Sequence, residues 1–589
     1  MSYFEPFIIP FSVGVVILFA VMWTKFISWI SALPKSDKKL IIRNAVSKAT
    51  FAALWEVFSE CLLHRRISRV NPRLWYMHMS LAFGWFLLIV AGKIEGTLYL
   101  KSPVNPPYVD VFFRKYFPEA HIPFMGFIMD LLLLFILSGL FMAVLKRFKP
   151  SVYGMKKTTK HTAGDRIALS SLWAIFPLRL TAESFNSALY DSGSFLTGTI
   201  GNLFAFLFPE HVLQILNETS WWLYSTALGT FFVAIPLSRY LHIFAEIPLI
   251  FLRSFKIRAA AVPTTFTNLE IAACSRCGIC IDPCQLGRND IANDIQSVYS
   301  LRNIREKCNT VENSDNCLMC GRCENICPVG IELNTIRISQ RYKFRKNDNP
   351  YNYRYIGNRD FSQGEGKTGY FAGCMTMLSP KIIQAMEKIF RQSGEEVWFA
   401  DKDGGVCCGR PQKLAGNIDA ANRMMELNKS LFIKHGITTL VTSCPICLKV
   451  FKEDYKLENI RVIHHTQYIH ELVQKGVLKL KKDNRKIFTY HDPCELGRGS
   501  RIYEQPRAVL SLAGTLVEID ETRENSLCCG GSLANTRLSF ENKNLISKTL
   551  TDRFEATGAQ YLVTSCPLCK KTLSRTSNIP VIDIAEAVS

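Results

Sequence analysis

A frame of five cysteines occurs twice in the last third of the chain, and this duplication constrains the fold more than any other feature. Each copy has one cysteine, then an adjacent pair followed by glycine, then Cys-Pro-x-Cys. Corresponding cysteines are offset by 120 to 122 residues, and Leu-Val-Thr-Ser-Cys-Pro stands at both 440–445 and 562–567. We therefore predict two copies of one domain, with Cys374, Cys407, Cys408, Cys444 and Cys447 in the first and Cys494, Cys528, Cys529, Cys566 and Cys569 in the second.

Short apolar strands alternate with helical stretches in each copy, which predicts an α/β domain. Proline directly after the first cysteine of Cys-Pro-x-Cys suits the first turn of a helix. A helix N-terminus stabilises thiolates, so we expect lowered thiol pKa values there. Gly409 and Gly530 suit tight turns that present two sulfurs to one cluster. The strands expected before the cysteines are 369–372, 439–441, 487–490 and 561–563.

Two further cysteine runs, 274–284 and 317–327, share the pattern C-x-x-C-x-x-C-x-x-x-C. Such groupings indicate either disulfides or metal. Disulfide frameworks are typical of small secreted domains, whereas these runs follow the apolar half of the chain on its basic side, which we expect to be the reducing cytoplasm. Zinc binds C-x-x-C pairs, but a run of this spacing is typical of iron–sulfur ligation.

The first 252 residues carry long apolar runs, so the chain is expected to be a membrane protein of several domains. A span needs about 20 apolar residues. The net charge of +20 suggests nucleic acid at first, but in this half many basic residues fall in loops between apolar runs, so we expect no nucleic-acid partner. Five spans are predicted, at 7–30, 74–92, 123–145, 167–189 and 221–241.

Loop charges predict the orientation of these spans. Nine Lys and Arg residues fall in 31–73 and seven in 146–166, against four in 93–122 and none in 190–220. Lys- and Arg-rich loops stay inside. The N-terminus is therefore expected outside, and residues 254–589 in the cytoplasm.

His78 and His242 lie near the cytoplasmic ends of the second and fifth predicted spans. At similar depth, two neutral imidazoles on facing helices suit bis-His ligation of one b-type haem. Hydrogen bonding at the membrane interface is the alternative. His64 is a weaker candidate, because Pro72 interrupts its helix before His78.

Arg179 and Glu183 stand at i, i+4 within the fourth predicted span. Ionisable groups in a bilayer are costly and are usually functional. The two residues are candidates to line a quinone pocket or to contact haem propionates, or they form an ion pair inside the helix bundle.

The C-x-x-C runs resemble the bacterial two-cluster ferredoxins in all eight ligand positions. In that family three cysteines of one run and the last of the other hold each [4Fe–4S] cluster. Gln285 stands where the family usually has proline after the last cysteine of the first run. The resemblance implies one cluster on Cys274, Cys277, Cys280 and Cys327, and a second on Cys317, Cys320, Cys323 and Cys284.

The duplicated frames resemble the CCG domains of heterodisulfide reductase and its relatives. That resemblance implies an iron–sulfur cluster in each copy, noncubane in heterodisulfide reductase, where the clusters cleave a disulfide, and it makes the second set of five cysteines the catalytic one. Arg410 and Pro411 depart from the usual Cys-Cys-Gly-Gly, which leaves the cluster type of the first site open. His491 and Arg498 resemble residues beside the second site; His491 is either a proton donor or a structural histidine.

The whole chain resembles proteins that fuse a cytochrome b-like membrane domain to ferredoxin and paired CCG domains, such as membrane-bound electron-transfer-flavoprotein:menaquinone oxidoreductases. We expect a five-helix all-α transmembrane bundle, a helical two-cluster ferredoxin domain and a duplicated α/β region, placed in the cytoplasmic membrane with the iron–sulfur domains inside. The expected domain bounds are 1–258, 263–345, 366–475 and 485–589.

The spacing G-x-G-x-x-G occurs at 364–369, but it leads into the predicted strand 369–372 instead of following a strand and opening a helix, so it is no dinucleotide-binding loop. No Walker A or C-x-x-C-H sequence occurs in the chain. A cytoplasmic flavoprotein or other redox partner is therefore expected, with menaquinone as the membrane substrate. The predicted function is a quinone-linked iron–sulfur oxidoreductase. A disulfide reductase and an electron-wire component of a larger complex are the alternatives, and the sequence leaves the direction of electron flow, the partner, the haem content and the oligomeric state open.

Overall fold

A computed structural model describes the chain over 4–120, 122–345, 360–404, 407–535 and 537–589. The chain forms two compact units. The first contains Met1–Arg258 and Thr264–Ile279, and the second contains Ala259–Pro263 and Cys280–Ser589. The first unit therefore contains the start of the expected ferredoxin domain. Residues of this stretch form hydrogen bonds and an ion pair with other parts of the helical unit.

The first unit is helical throughout its described residues. Long apolar stretches form its long helices, and several begin with proline, which is preorganised for a first turn. Its α-helices are α1 (Ile9–Ser31), α2 (Lys35–Asn44), α3 (Lys48–Val57), α4 (Arg65–Val70), α5 (Pro72–Leu100), α6 (Pro107–Val111), α7 (Phe113–Tyr116), α8 (Pro123–Phe148), α9 (Ala163–Tyr190), α10 (Thr197–Leu207), α11 (Glu210–Ala234), α12 (His242–Ser254) and α13 (Thr265–Ala272).

In the part of the chain that the structure describes, three helices are long and apolar enough to cross a membrane, at Pro6–Ser31, Pro72–Leu100 and Pro123–Phe148. A bent pair, Glu210–Leu237 and Arg239–Ser254, makes a fourth candidate if its 78° break lies within one span. The five predicted spans are thus not confirmed. Helix α9 covers the predicted span 167–189, but its polar residues keep it outside the set of apolar helices.

The second unit begins with short helices that follow the cysteine runs. Between Cys280 and Arg345 the described chain contains helices and turns and no strand, as expected for a helical ferredoxin domain. The helices are α14 (Gln285–Arg288), α15 (Ser297–Arg305), α16 (Val311–Asp315), α17 (Arg322–Asn325) and α18 (Leu333–Arg345).

Each cysteine frame lies on a four-stranded parallel sheet, and the two sheets have the same order, β2-β1-β3-β4 and β6-β5-β7-β8. The four predicted strands are confirmed to within a residue at each end, and each sheet has two further strands. In both sheets the two central strands lead into cysteines, so these cysteines meet at one sheet edge. The strands are β1 (Thr368–Phe371), β2 (Val397–Phe399), β3 (Thr439–Thr442), β4 (Arg461–His464), β5 (Ile487–His491), β6 (Thr515–Val517), β7 (Tyr561–Thr564) and β8 (Val581–Asp583).

Helices connect the parallel strands and cover the sheets. One hydrophobic core is shared by the two repeats, with Tyr370 and Val441 of the first sheet and Tyr490 and Val563 of the second all buried in it. The helices are α19 (Cys374–Met377), α20 (Pro380–Ser393), α21 (Arg410–Ala415), α22 (Ile418–Lys434), α23 (Pro445–Glu453), α24 (His465–Gln474), α25 (Gly497–Ser500), α26 (Glu504–Ala513), α27 (Phe540–Glu555), α28 (Pro567–Leu573) and α29 (Ile584–Val588).

Candidate iron–sulfur sites

The five thiols of each frame contact one another in the same order. In the first frame the hydrogen-bonded pairs join Cys374 to Cys407, Cys407 to Cys408, Cys408 to Cys447 and Cys447 to Cys444. The second frame repeats this with Cys494, Cys528, Cys529, Cys569 and Cys566. Each predicted ligand set is therefore brought together by the fold.

Glycines and prolines shape both sites as predicted. Gly409 and Gly530, which follow the cysteine pairs, have φ values of 83° and 86°, a region that favours glycine. Pro445 and Pro567 occupy the first turns of α23 and α28, directly after Cys444 and Cys566. In the first site a Cβ on Gly373 would lie 3.0 Å from Cys447 Sγ, so the glycine leaves room beside that sulfur.

One thiol in each site is poised as a thiolate. Hydrogen bonds from Cys407 and Cys447 lower the pKa of Cys408 to about 6. Cys528 and Cys569 lower the pKa of Cys529 to about 6 in the same way. Because thiolate is the form that binds metal, these two positions are prepared for ligation.

The lowered thiol pKa that we expected at the helix N-termini is found at Cys408 and Cys529 instead. The pKa of Cys447 is raised, because this thiol donates a hydrogen bond to Cys408 and is buried. The pKa of Cys569 is raised by the same arrangement with Cys529. For Cys447 and Cys569, hydrogen bonds to neighbouring thiols and burial therefore shift the pKa opposite to the direction predicted for the helix termini.

The donor set of each frame, five thiols in contact, fits iron–sulfur chemistry. No group of three or more Cys, His, Asp or Glu side chains surrounds a single metal-ion position within the described ranges. The sulfurs instead form a chain of neighbours, most of it buried; Cys374 is the one exposed member of the ten.

Arg410, a departure from the usual Cys-Cys-Gly-Gly, connects the two repeats. Its side chain is 6% exposed and donates through Nη2 to Glu495 Oε1 at 3.2 Å. Lys449 Nζ lies 3.6 Å from Glu495 Oε2. The two cations hold the pKa of Glu495 below its ordinary value against the effect of burial. Arg410 therefore pairs with the carboxylate next to Cys494 of the other frame.

An apolar cavity opens beside the second frame. All five cysteines of that frame line it, together with Pro445 and Ile446 at the start of α23 and Leu318 and Met319 of the ferredoxin segment. Glu495 is the charged residue of this lining. The first repeat contributes Leu414, Pro445 and Ile446 to this lining but none of its own frame cysteines.

The second predicted ferredoxin ligand set is assembled within the second unit. Burial raises the pKa of Cys284 to about 11, and the charges on Cys317 and Cys320 add to this effect. Burial, together with the charges on Cys317, Cys320 and Cys284, also raises the pKa of Cys323. Ser297 Oγ donates to Cys323 Sγ at 3.1 Å and Met319 N to Cys317 Sγ at 3.4 Å. These four thiols and their donors fit one cubane cluster.

The other predicted set is divided between the two units, with Cys274 and Cys277 in the first and Cys280 and Cys327 in the second. Its assignment stays a prediction. Cys308 is exposed and Cys61 is partly buried, and both lie outside the motifs.

The loop that carries Cys274 and Cys277 is bound to the helical unit by a buried ion pair. Arg276 Nη1 lies 2.7 Å from Asp165 Oδ2, with side-chain exposures of 6% and 0%. Thr159 Oγ1 donates to the Arg276 carbonyl at 3.0 Å, and Lys146 Nζ to the Cys277 carbonyl at 3.4 Å. Sequence analysis missed this anchor, because an isolated Asp-Arg pair 111 residues apart has no sequence signature.

The rings of His64 and His78 face each other, with centroids 5.6 Å apart and an interplanar angle of 23°. His78 Nε2 is buried and has no hydrogen-bond partner among the described residues. Nδ1 of His64 contacts the Leu62 carbonyl at 3.0 Å, and Nδ1 of His242 contacts the Arg239 carbonyl at 2.8 Å. An Nδ1–carbonyl bond leaves Nε2 as the ligating atom. The Pro72 interruption thus does not separate His64 from His78: His64 precedes α4, α5 begins at Pro72, and the two rings nevertheless stack.

Arg179 and Glu183 form an ion pair, Nε to Oε1 at 2.9 Å, with both side chains 9% exposed. Asp130 accepts hydrogen bonds from the backbone of Leu196 and Thr197. These contacts give Arg179, Glu183 and Asp130 partners within the helical unit, and the predicted quinone or haem role of Arg179 and Glu183 stays a prediction.

His491 is buried, and both its ring nitrogens have protein partners: Nδ1 contacts Thr564 Oγ1 at 3.2 Å and Nε2 contacts the Leu527 carbonyl at 3.3 Å. Burial lowers its pKa to about 4. This arrangement favours the structural alternative over the proton donor.

Comparison with known protein families assigns the cysteine regions. Residues 368–452 and 488–574 each match the family "Cysteine-rich domain", and residues 270–331 match the family "4Fe-4S dicluster domain". The chain combines two cysteine-rich domains with a 4Fe-4S dicluster domain. The iron–sulfur ligands predicted from the motifs lie within or directly beside these matched regions.

Similar proteins carry the names of oxidoreductases and of an iron–sulfur protein. One component of the dihydromethanophenazine:CoB–CoM heterodisulfide reductase of Methanosarcina barkeri is 27% identical over 46% of this chain and 76% of its own length. EtfAB:quinone oxidoreductase from Syntrophomonas wolfei is 27% identical over 37% of this chain and 33% of its own. An uncharacterized iron–sulfur protein from Methanococcus maripaludis is 28% identical over 45% and 58%. The chain thus spans less than two thirds of the length of two of these three relatives.

Proposed function

We propose that the chain is a membrane-linked iron–sulfur oxidoreductase that passes electrons between a cytoplasmic flavoprotein, such as electron-transfer flavoprotein, and the menaquinone pool. The observation that carries the proposal is the joining of ten frame cysteines and a dicluster domain to apolar helices in one chain. The name of the relative from Syntrophomonas wolfei points in the same direction.

When bound, iron–sulfur clusters supply one-electron carriers. The protein's own residues fix where these carriers lie. The frames place five thiols at one edge of each sheet, and the Asp165–Arg276 pair holds the loop of Cys274 and Cys277 on the helical unit. Basic loops favour a cytoplasmic position for residues 254–589, where a soluble flavoprotein has access.

A b-type haem is proposed in the helical unit, with His78 as one ligand. The unpartnered, buried Nε2 of His78 supports this. The second ligand is His242, as predicted from the spans, or His64, whose ring faces His78. Multi-pass insertion in the cytoplasmic membrane belongs to the same proposal.

Reduced electron-transfer flavoprotein tests the proposal directly. We expect it to reduce a menaquinone analogue in the presence of the purified, iron-loaded protein, and Cys566→Ala to lower the rate strongly. Cys308→Ala is the matched control, since Cys308 lies outside the motifs and is exposed. No quinone reduction by a fully iron-loaded protein would contradict the proposal.

Disulfide reduction is the second candidate. The specific observation is the cavity lined by the five cysteines of the second frame, together with a heterodisulfide reductase component among the relatives. Thiol release from small disulfides, measured with a reduced quinol as donor, separates it from the first proposal. Thiol release that Cys529→Ala abolishes would favour the disulfide reductase.

A further inference from the structure

Gln285 of the ferredoxin segment forms a two-point hydrogen-bond pair with the backbone of Cys528 in the second frame. Its Nε2 donates to the Cys528 carbonyl at 3.0 Å, and the Cys528 N–H donates to its Oε1 at 2.6 Å. The side chain is 4% exposed. Gln285 directly follows Cys284, so one ligand of the second predicted cubane is joined through it to a cysteine of the second frame.

Among the described residues, the cysteine pair of the first frame is held from within its own repeat. There the Cys407 carbonyl accepts from Asn428 at 3.0 Å and the Cys408 carbonyl from Tyr455 at 3.1 Å, and both donors belong to the first repeat itself. In the second repeat the ferredoxin segment supplies the equivalent donor. The duplicated frames therefore differ in which domain holds their cysteine pair.

Further contacts surround the Gln285 pair. Arg498 Nε donates to the Cys320 carbonyl at 2.8 Å, while its Nη1 binds the Ser526 carbonyl at 2.8 Å. Arg498 Nη2 is buried without a partner. Cys284 and Cys320 pack with Cys494 and Cys528 in one hydrophobic cluster. A half-buried cation, an amide pair and an apolar cluster all lie between the ferredoxin segment and the second frame.

The ferredoxin segment also contacts the first repeat, through Arg341 Nη1 and the Leu414 carbonyl at 2.6 Å. This contact involves α21 and none of the cysteines. Within the part of the chain that the structure describes, the hydrogen bonds from a ferredoxin-segment side chain to a frame cysteine are those of Gln285 with Cys528 in the second frame.

We propose that Gln285 is a positioning residue that fixes the second frame against the second ferredoxin site, so that electrons pass between the ferredoxin segment and the repeats through the second frame. The inference rests on the proposed function. Each transfer moves one electron between the two sites, breaks no bond and moves no proton. The external electron donor is the reduced flavoprotein, or a quinol if flow runs the other way.

The test compares Gln285→Leu with Asn428→Leu in the full-length, anaerobically purified protein, using redox titration followed by EPR. Cys447→Ser and Cys569→Ser assign the first-frame and second-frame signals. We expect Gln285→Leu to shift the midpoint potential and the g-values of the second-frame signal alone, and Asn428→Leu to shift those of the first-frame signal alone. An unchanged second-frame potential in Gln285→Leu overturns the inference.

Gln285→Glu keeps the side-chain volume and the acceptor for the Cys528 N–H but removes the donor to the Cys528 carbonyl. It is expected to shift the same signal, and it keeps the test valid if Gln285→Leu does not fold. Shifts in both frames from either variant also overturn the inference. If the wild-type protein shows all iron–sulfur signals but does not reduce quinone, the proposed function is refuted. The effect of the Gln285 variants on the second-frame signal can be interpreted in that case as well.

Discussion

At the scale of the residue, two glycines shape the turns that present the cysteine pairs. A Cβ at Gly409 would lie 2.9 Å from the Ala421 carbonyl oxygen, and one at Gly530 would lie 3.0 Å from the Lys543 carbonyl oxygen. Both contacts are with helix backbone, which does not move aside easily. Conformation and space therefore both require glycine here.

Gly530→Ala is expected to destabilise the protein by more than the roughly 1–2 kcal/mol of a left-handed backbone alone, and to lower its iron content. Gly394→Ala is the matched control, since Gly394 has φ 69° but nothing within 4 Å of its Cβ position. Denaturant unfolding and iron analysis of both variants provide the measurement. Equal losses in the two variants would show that space at Gly530 is irrelevant.

His78→Ala is expected to abolish the optical band of a b-type haem, because this residue offers the buried, unpartnered Nε2. His211→Ala, an exposed histidine at the start of α11, should keep the band. If the haem band is lost in His64→Ala and kept in His242→Ala, the second ligand is His64. The opposite result assigns the second ligand to His242. An intact band in His78→Ala contradicts haem ligation by this residue.

At the scale of the element, the N-terminus of α9 joins the helical unit to the loop that carries two predicted ligands. Thr162 and Asp165 form a capping box there, and Asp165 accepts from the Arg239 N–H at 2.7 Å as well as from Arg276. The Asp165 carboxylate thus caps α9, accepts a hydrogen bond from the bend before α12, and pairs with Arg276 in the loop of Cys274 and Cys277.

Asp165→Asn removes the buried carboxylate that pairs with Arg276, and breaking a buried ion pair in this way typically costs about 3–5 kcal/mol. We expect faster hydrogen exchange in 264–279 and loss of one cubane signal. Arg166→Gln, on the neighbouring exposed position of the same helix, should change neither. Unaltered exchange in Asp165→Asn would show that the pair does not anchor the loop.

Much of the repeat architecture follows from the sequence, because strand residues before cysteines, proline after them and glycine after the pairs each have a local cause. The edge strands β2, β4, β6 and β8 lack an adjoining cysteine, and β2 and β6 are only three residues long, so they gave no such signal. The predicted count of membrane spans differs from the structure because Arg179 and Glu183 make α9 polar, and because α11 ends at Ala234 before a sharp bend. Gln285, Arg410 and Asp165 act through long-range contacts, which no local pattern predicts.

At the scale of the whole molecule, 18 of the 20 cysteines fall in motifs and two do not. Metal binding and folding are coupled when ligands meet only in the folded chain. The motif cysteines are therefore expected to be protected from alkylation in the iron-loaded protein and to react after chelation, with loss of stability.

Exposed Cys308 is the internal control, since it should react at the same rate in both states. Mass spectrometry of alkylated peptides, with metal analysis, measures the effect. We expect about four clusters' worth of iron. Zinc in place of iron, or motif cysteines that react as fast as Cys308 in the loaded protein, would contradict the iron–sulfur assignment.

The central claim is that this chain connects a cytoplasmic electron carrier to the quinone pool. The most direct measurement is anaerobic mixing of reduced electron-transfer flavoprotein with the iron-loaded protein in lipid vesicles that contain a menaquinone analogue. The account predicts that the iron–sulfur signals become reduced and that the quinone is then reduced, with both events lost in Cys566→Ala. A loaded protein whose iron–sulfur signals and quinone both remain oxidised would contradict it.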